Sequence, residues 1–176
     1  MKIIRCIAIV LVLTAVLVGC RPTGRATEDY RRRAFRAEVR FTSGEVTVYA
    51  EVKTEQEGEG VSLTHVRLLA PPSLADIELV RKEGELLLLR DGLEMHTAGA
   101  QGWWDTLSLL CASGTLRYVC DTELEGLSLE YAEITDGTRT VEVLRERETG
   151  VPKRITEGDR SLTVIRFEPI EARENT

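Results

Sequence analysis

The sequence is poor in the residues that most often carry chemistry. It has two histidines, His65 and His96, and four cysteines in 176 residues. Neither type is spaced as a zinc site or an iron–sulfur cluster requires. There is no GxSxG elbow, HExxH helix, phosphate-binding loop or dinucleotide fingerprint. Gly58-Glu59-Gly60 lacks the strand-to-helix context that would give its glycines a ligand. The carboxylates scatter through turns and outward strand positions, the pattern of a solvated surface. No catalysis, metal or cofactor is expected. Aromatics are 5% and glycine 14 residues, which excludes collagenous and low-complexity chains. The formal charge of −6 disfavours nucleic acid, whose phosphates would repel an acidic surface. What remains is 43% apolar residues, enough for the core of one ordinary domain.

The one long apolar run lies at the start. Lys2 and Arg5 precede a stretch from Cys6 to Val18 that is apolar apart from Thr14. A bilayer core about 30 Å thick needs about 20 such residues, so the run reads as a cleaved signal over residues 1–19. Leu17-Val18-Gly19-Cys20 resembles a bacterial lipobox, with the small Gly19 exposing the Cys20 thiolate to lipid attachment. An ordinary signal or a membrane helix with an incidental cysteine is the alternative. Arg21 after Cys20 is no inner-membrane retention signal of the aspartate type. The expected location is the outer face of the cytoplasmic membrane, or the outer membrane in a diderm.

Charge is uneven beyond the anchor. Residues 21–40 carry seven arginines against Glu28, Asp29 and Glu38, a local +4, which leaves −12 after residue 40. Residues 20–33 read as a basic tether that either presses onto anionic headgroups or serves as a solubilising linker. With Cys6 in the signal and Cys20 lipidated, Cys111 and Cys120 remain. An even pair in an exported protein suggests a disulfide, and two small buried thiols on one helical face are the alternative.

From Phe35 to Val52 apolar and polar residues alternate about Ser43-Gly44, which predicts two long antiparallel strands. Glu55 to Gly60 reads as a solvated hairpin loop. A third strand covers about Val61 to Ala70 and stops at Pro71-Pro72. Its hydrophobic parity changes between Leu63 and Val66, which places a bulge near His65. Short strands follow at Ile77–Arg81, Glu85–Arg90 and Leu93–His96. Leu86 to Leu89 is apolar on both faces and needs cover on both. Trp103, Trp104, Leu107, Leu110 and Cys111 recur at helical spacing, predicting a helix from Gln101 to about Ala112. A break at Ser113-Gly114 and a further turn through Tyr118 come next. Strands at Leu127–Ile134, Arg139–Arg147, Lys153–Glu157 and Leu162–Phe167 complete a meander. Residues 169–176 are polar and expected to fray.

Val66-Arg67-Leu68-Leu69-Ala70-Pro71-Pro72-Ser73-Leu74 with Ile77, and Glu148-Thr149-Gly150-Val151-Pro152-Lys153-Arg154-Ile155, carry a family resemblance. With the lipobox, the antiparallel sheet and the mid-chain helix, residues 34–168 resemble the LolA/LolB-like lipoprotein-carrier fold, and within it the GerS-like germination lipoproteins of Firmicutes. The resemblance implies a mainly β (α+β) domain, a single antiparallel curved sheet or half-barrel with a short helical insert covering its concave face. It implies an apolar concave face able to hold an acyl chain or lipidated peptide, lined by Leu68, Leu79, Leu86, Leu88, Trp103, Trp104, Leu107 and Leu110. If the helix fills that face, these residues are core. The partner implied is then a cell-wall or spore-cortex amidase that the protein positions or activates. Two adjacent indoles on a helix cannot both point inward, so one is expected to meet lipid or a protein.

Overall fold

The computed structural model describes residues 29–82, 85–96, 99–124 and 126–170. The signal, Cys20, most of the tether, the Glu83-Gly84 turn and the chain from residue 171 lie outside them.

Alternation of buried and exposed side chains builds β1 (Phe35–Ser43), where Phe35, Ala37, Val39 and Phe41 are buried. It also builds β2 (Val46–Glu57), with Val48, Ala50 and Val52 on the same face. β3 (Gly60–Ala70), β4 (Glu78–Lys82), β5 (Glu85–Arg90) and β6 (Leu93–His96) continue outward from β2. After the helical insert come β7 (Thr115–Leu124), β8 (Leu127–Thr135), β9 (Thr140–Glu146), β10 (Pro152–Glu157) and β11 (Arg160–Pro169). All eleven strands form one antiparallel sheet in the order β6-β5-β4-β3-β2-β1-β11-β10-β9-β8-β7. Two meanders therefore run in opposite directions from a central seam. That seam is the β1–β11 pair, which sets Phe35 opposite Pro169 and Phe41 opposite Leu162.

The insert joins the two edge strands. α1 (Gln101–Leu107) runs into a 3₁₀ segment, Ser108–Cys111, and both lie on the concave face. Trp104, Leu107, Leu109 and Leu110 share one core cluster with Phe41, Val48, Leu68, Leu79, Val143 and Leu162. The curved antiparallel sheet with a short helical insert is thus the fold observed.

Several boundaries differ from the sequence pattern. The helix ends at Leu107 because the hydroxyls of Thr106 and Ser108 bond back to the carbonyls of Gly102 and Asp105, at 2.9 and 2.8 Å, and the chain tightens to 3₁₀ geometry. Glu55 to Glu57 belong to β2 instead of a loop, because a two-residue turn at Gly58-Glu59 lets Gln56 pair with Val61 and Glu57 with Gly60. Residues 115–118 are strand, not a helical turn. Gly114, at φ +116°, reverses the chain, and Leu116 and Tyr118 alternate with exposed neighbours. The bulge near His65 is present, with Thr64 as the extra residue between the Thr54–Leu63 and Lys53–His65 pairs. Of the two-sided strand, Leu86 faces the core while Leu87 is buried on the opposite face between Val80 and His96.

Candidate functional site

The eight apolar residues singled out on the concave face come together, as core. Leu68, Leu79, Leu107 and Leu110 are wholly buried, Trp104 and Leu86 nearly so, and Leu88 and Trp103 pack against them half-buried. Both indoles reach the core, Trp104 within it and Trp103 half-buried against it. Trp104 points inward under the Arg81 guanidinium, 5.9 Å from its ring centroid, while Trp103 donates from Nε1 to Ser43 Oγ at 3.0 Å.

Beyond this core the same concave face becomes polar. Val141 and Val143 of β9 are buried opposite Ile134 and Ala132 of β8, and the next inward pair is Arg145 opposite Glu130. Arg145 donates from Nε to Glu130 Oε2 at 3.0 Å and its Nη2 lies 2.9 Å from the same oxygen as an ion pair, with both side chains almost fully buried. Arg145 Nη1 is buried and has no hydrogen-bond partner among the described residues. This pair contradicts the expectation that the carboxylates lie only at turns and on outward positions. Single-residue alternation marks Glu130 as inward, but charge type alone reads it as solvated.

A second buried guanidinium belongs to Arg31, which the sequence places in the tether. Asp29 caps a 3₁₀ turn, Tyr30–Arg32, by accepting from Arg31 N at 3.0 Å. The Arg31 side chain donates to both Asp29 carboxylate oxygens at 2.9 and 2.7 Å, to the Ala112 carbonyl, and to the Gly114 carbonyl at 3.1 Å. Arg31 therefore ties this turn to the loop after the helical insert. Burial alone would raise the Asp29 carboxyl, but the hydrogen bonds from the Arg31 side chain and backbone hold it below the usual range. Burial pushes the neighbouring Tyr30 phenol upward.

Together these groups border an open cleft of about 820 Å³. Arg31, Cys111, Ala112, Gly114 and Arg145 line it, with Val61 from β3 and Leu116 and Tyr118 from β7. Glu57 and Glu59, at the β2–β3 turn, form part of its rim. The cleft joins β3 to β7, strands seven places apart in the sheet order. Cys111 and Cys120 are both free thiols. The first is mostly shielded at the end of the insert, where burial pushes its thiol up to about 12, and the second is exposed on β7. The expected disulfide is not formed in this structure.

The histidines lie away from the cleft, each beside a carboxylate. His65 Nε2 is 3.1 Å from Glu78 Oε2, and His96 Nδ1 is 3.1 Å from Glu85 Oε2. Among the described residues no three His, Cys, Asp or Glu side chains gather as a metal site.

Neither a protein-family model nor a curated protein matches the chain. Solved structures do. MucB aligns with a TM-score of 0.50 and 19% identity over 86% of this chain and 58% of its own. An uncharacterized conserved protein from Thermus thermophilus aligns at 0.47 and 17%, over 81% of this chain and 82% of that one. A putative outer membrane lipoprotein-sorting protein domain from Vibrio parahaemolyticus aligns at 0.44 and 10%, over 84% and 89%. The likeness to MucB shows a shared fold across somewhat more than half of MucB's length.

Proposed function

We propose that the chain is a non-catalytic, lipid-anchored binding protein on the extracytoplasmic side of a bacterial membrane, and that its ligand is another protein, not a stored acyl chain. One observation carries this reading: the apolar concave face is filled by the protein's own Trp104, Leu107, Leu109 and Leu110. A guest chain would gain about 0.8 kcal/mol per buried CH₂, but entering here means expelling side chains that already make equivalent contacts. The fold shared with MucB agrees with a protein ligand, since MucB of Pseudomonas aeruginosa has been solved in complex with MucA. The resemblance of residues 66–77 and 148–155 to GerS-like lipoproteins supports a cell-wall or spore-cortex amidase as that partner. The anchor in this reading is Cys20, and Arg21 and Arg25, next to it in sequence, would supply charge for anionic headgroups.

Native mass spectrometry of the full chain, expressed in a bacterial host and released from neutral detergent, tests the reading. The expected mass is the chain from Cys20 with covalent lipid and nothing further. A second, noncovalent mass of lipid size that disappears in a folded Leu88→Asp variant would overturn it.

A further inference from the structure

The cleft meets the core only along Val61, Cys111, Ala112 and Leu116, and its polar surroundings favour one kind of guest. Arg145 is 3% exposed, lines the cleft, and keeps Nη1 without an acceptor among the described residues. A buried guanidinium N–H that lacks a partner calls for an oxygen. Its charge is already balanced by Glu130, and that of Arg31 by Asp29. An uncharged carbonyl therefore suits Arg145 Nη1 better than an anion, which would be desolvated with little net positive charge to meet it.

With the two buried ion pairs set aside, the cleft's remaining charges are Glu57 and Glu59 against the exposed Arg32, which leaves the rim acidic by one charge. Glu57 and Glu59 flank Gly58 at the tip of the β2–β3 hairpin, and Gln56 straps that tip by donating from Nε2 to the carbonyls of Gly58 and Gly60, at 3.2 and 2.8 Å. The two carboxylates are thus held on a braced turn instead of a loose loop. Along the other border, β7 is the sheet edge and among the described residues pairs only with β8, so the outer backbone groups of Thr115 to Tyr118 are open to an extended chain. The body beyond residue 40 carries −12, which draws in cations and repels anions.

We propose that this cleft docks an extended basic peptide, one carbonyl of which accepts from Arg145 Nη1 while its lysine or arginine side chains meet Glu57 and Glu59. The proposal rests on the reading that the ligand is a protein, and supplies the chemistry of the segment recognised.

Fluorescein-labelled hexalysine, titrated with the full chain in neutral detergent and followed by anisotropy, gives the test, with hexaglutamate as its counterpart. The expected result is saturable binding of hexalysine and none of hexaglutamate. Glu57→Gln with Glu59→Gln should weaken it about fivefold, the effect of losing two exposed ion pairs. Arg145→Lys, which retains the charge but not the Nη1 donor, should weaken it as well. Glu94→Gln, on the far edge strand, should leave it unchanged. Because the two rim glutamates are solvent-facing, their substitution leaves the fold intact. Undiminished binding in the rim variant, or no saturable binding at all, overturns the proposal. If a captured partner protein ignores the rim and Arg145 variants, the cleft assignment falls while the protein-binding reading stands. A co-purifying lipid would instead remove that reading itself.

Discussion

Arg145 and Glu130 face each other across β8 and β9 with side chains 4% and 6% exposed. Desolvating two charges costs much of what their attraction returns, so such a pair is poor evidence of stability but a severe loss when halved. Arg145→Met is expected to destabilise the domain by about 3–5 kcal/mol in urea denaturation, and Glu130→Met added to it to recover most of that loss. A single and a double variant of equal stability would show that the pair is not energetically buried. The Asp29–Arg31 pair has a pH signature. Its carboxyl lies below the ordinary 3.8 when folded, so the pair's contribution is complete above that value and is lost as pH falls through the folded pKa. Asp29→Asn should flatten the acid limb of the stability curve below about pH 4 and leave the neutral region's slope unchanged. The thiols differ sharply too. Iodoacetamide at pH 8 should label Cys120 within minutes and spare Cys111, whose thiol burial holds near 12. Residues of this kind are hard to read from a sequence. Glu130 and Arg145 are each ordinary surface types on an alternating strand, and only their cross-strand register makes them a pair. Arg31 sits in a run of three arginines, and nothing local distinguishes it from Arg32.

At the scale of elements, periodicity carries most of the information. Phe35 to Phe41 and Val48 to Val52 bury every second residue because one face meets the helical insert, and that alternation is legible directly. β7 is not legible, since an edge strand buries little and the bulge between Tyr118 and Cys120 shifts its phase halfway along. Apolar spacing locates the helical insert but overextends it, because Leu109, Leu110 and Cys111 keep through the 3₁₀ segment a spacing that an α-helix would also give. Gly114 links that insert to β7, and its role is steric as well as conformational. At φ +116°, an added Cβ would run into the Thr135 carbonyl. Gly114→Ala is expected to cost about 1–3 kcal/mol by thermal unfolding and to disturb the amide signals of Thr115 and Thr135 first. The same substitution at Gly92, also at positive φ but with open space around it, should cost less.

The whole molecule separates charge along its length, and this determines how an anchored form would meet a membrane. The body after residue 40 is −12 and the chain from 21 to 40 is +4. Arg31 belongs to the body, held by Asp29 and two carbonyls, so its charge is neutralised before it reaches any headgroup. In the proposed anchored form, Arg21 and Arg25, nearest to Cys20 in sequence, would be the arginines to meet anionic lipid. With the acyl groups in place, Arg21→Ala and Arg25→Ala are each expected to weaken sedimentation with phosphatidylglycerol vesicles about fivefold, an effect of about 1 kcal/mol per charge near the surface. Raising the salt from about 0.05 to about 0.5 M should erase the difference, because the screening length falls well below the span of the tether. Arg31→Ala separates the two roles of this segment. It should lower the melting temperature and free the loop at Ala112 to Gly114 while changing vesicle binding little. Equal loss of vesicle binding from Arg31→Ala and Arg25→Ala would mean that Arg31 leaves its site at the membrane.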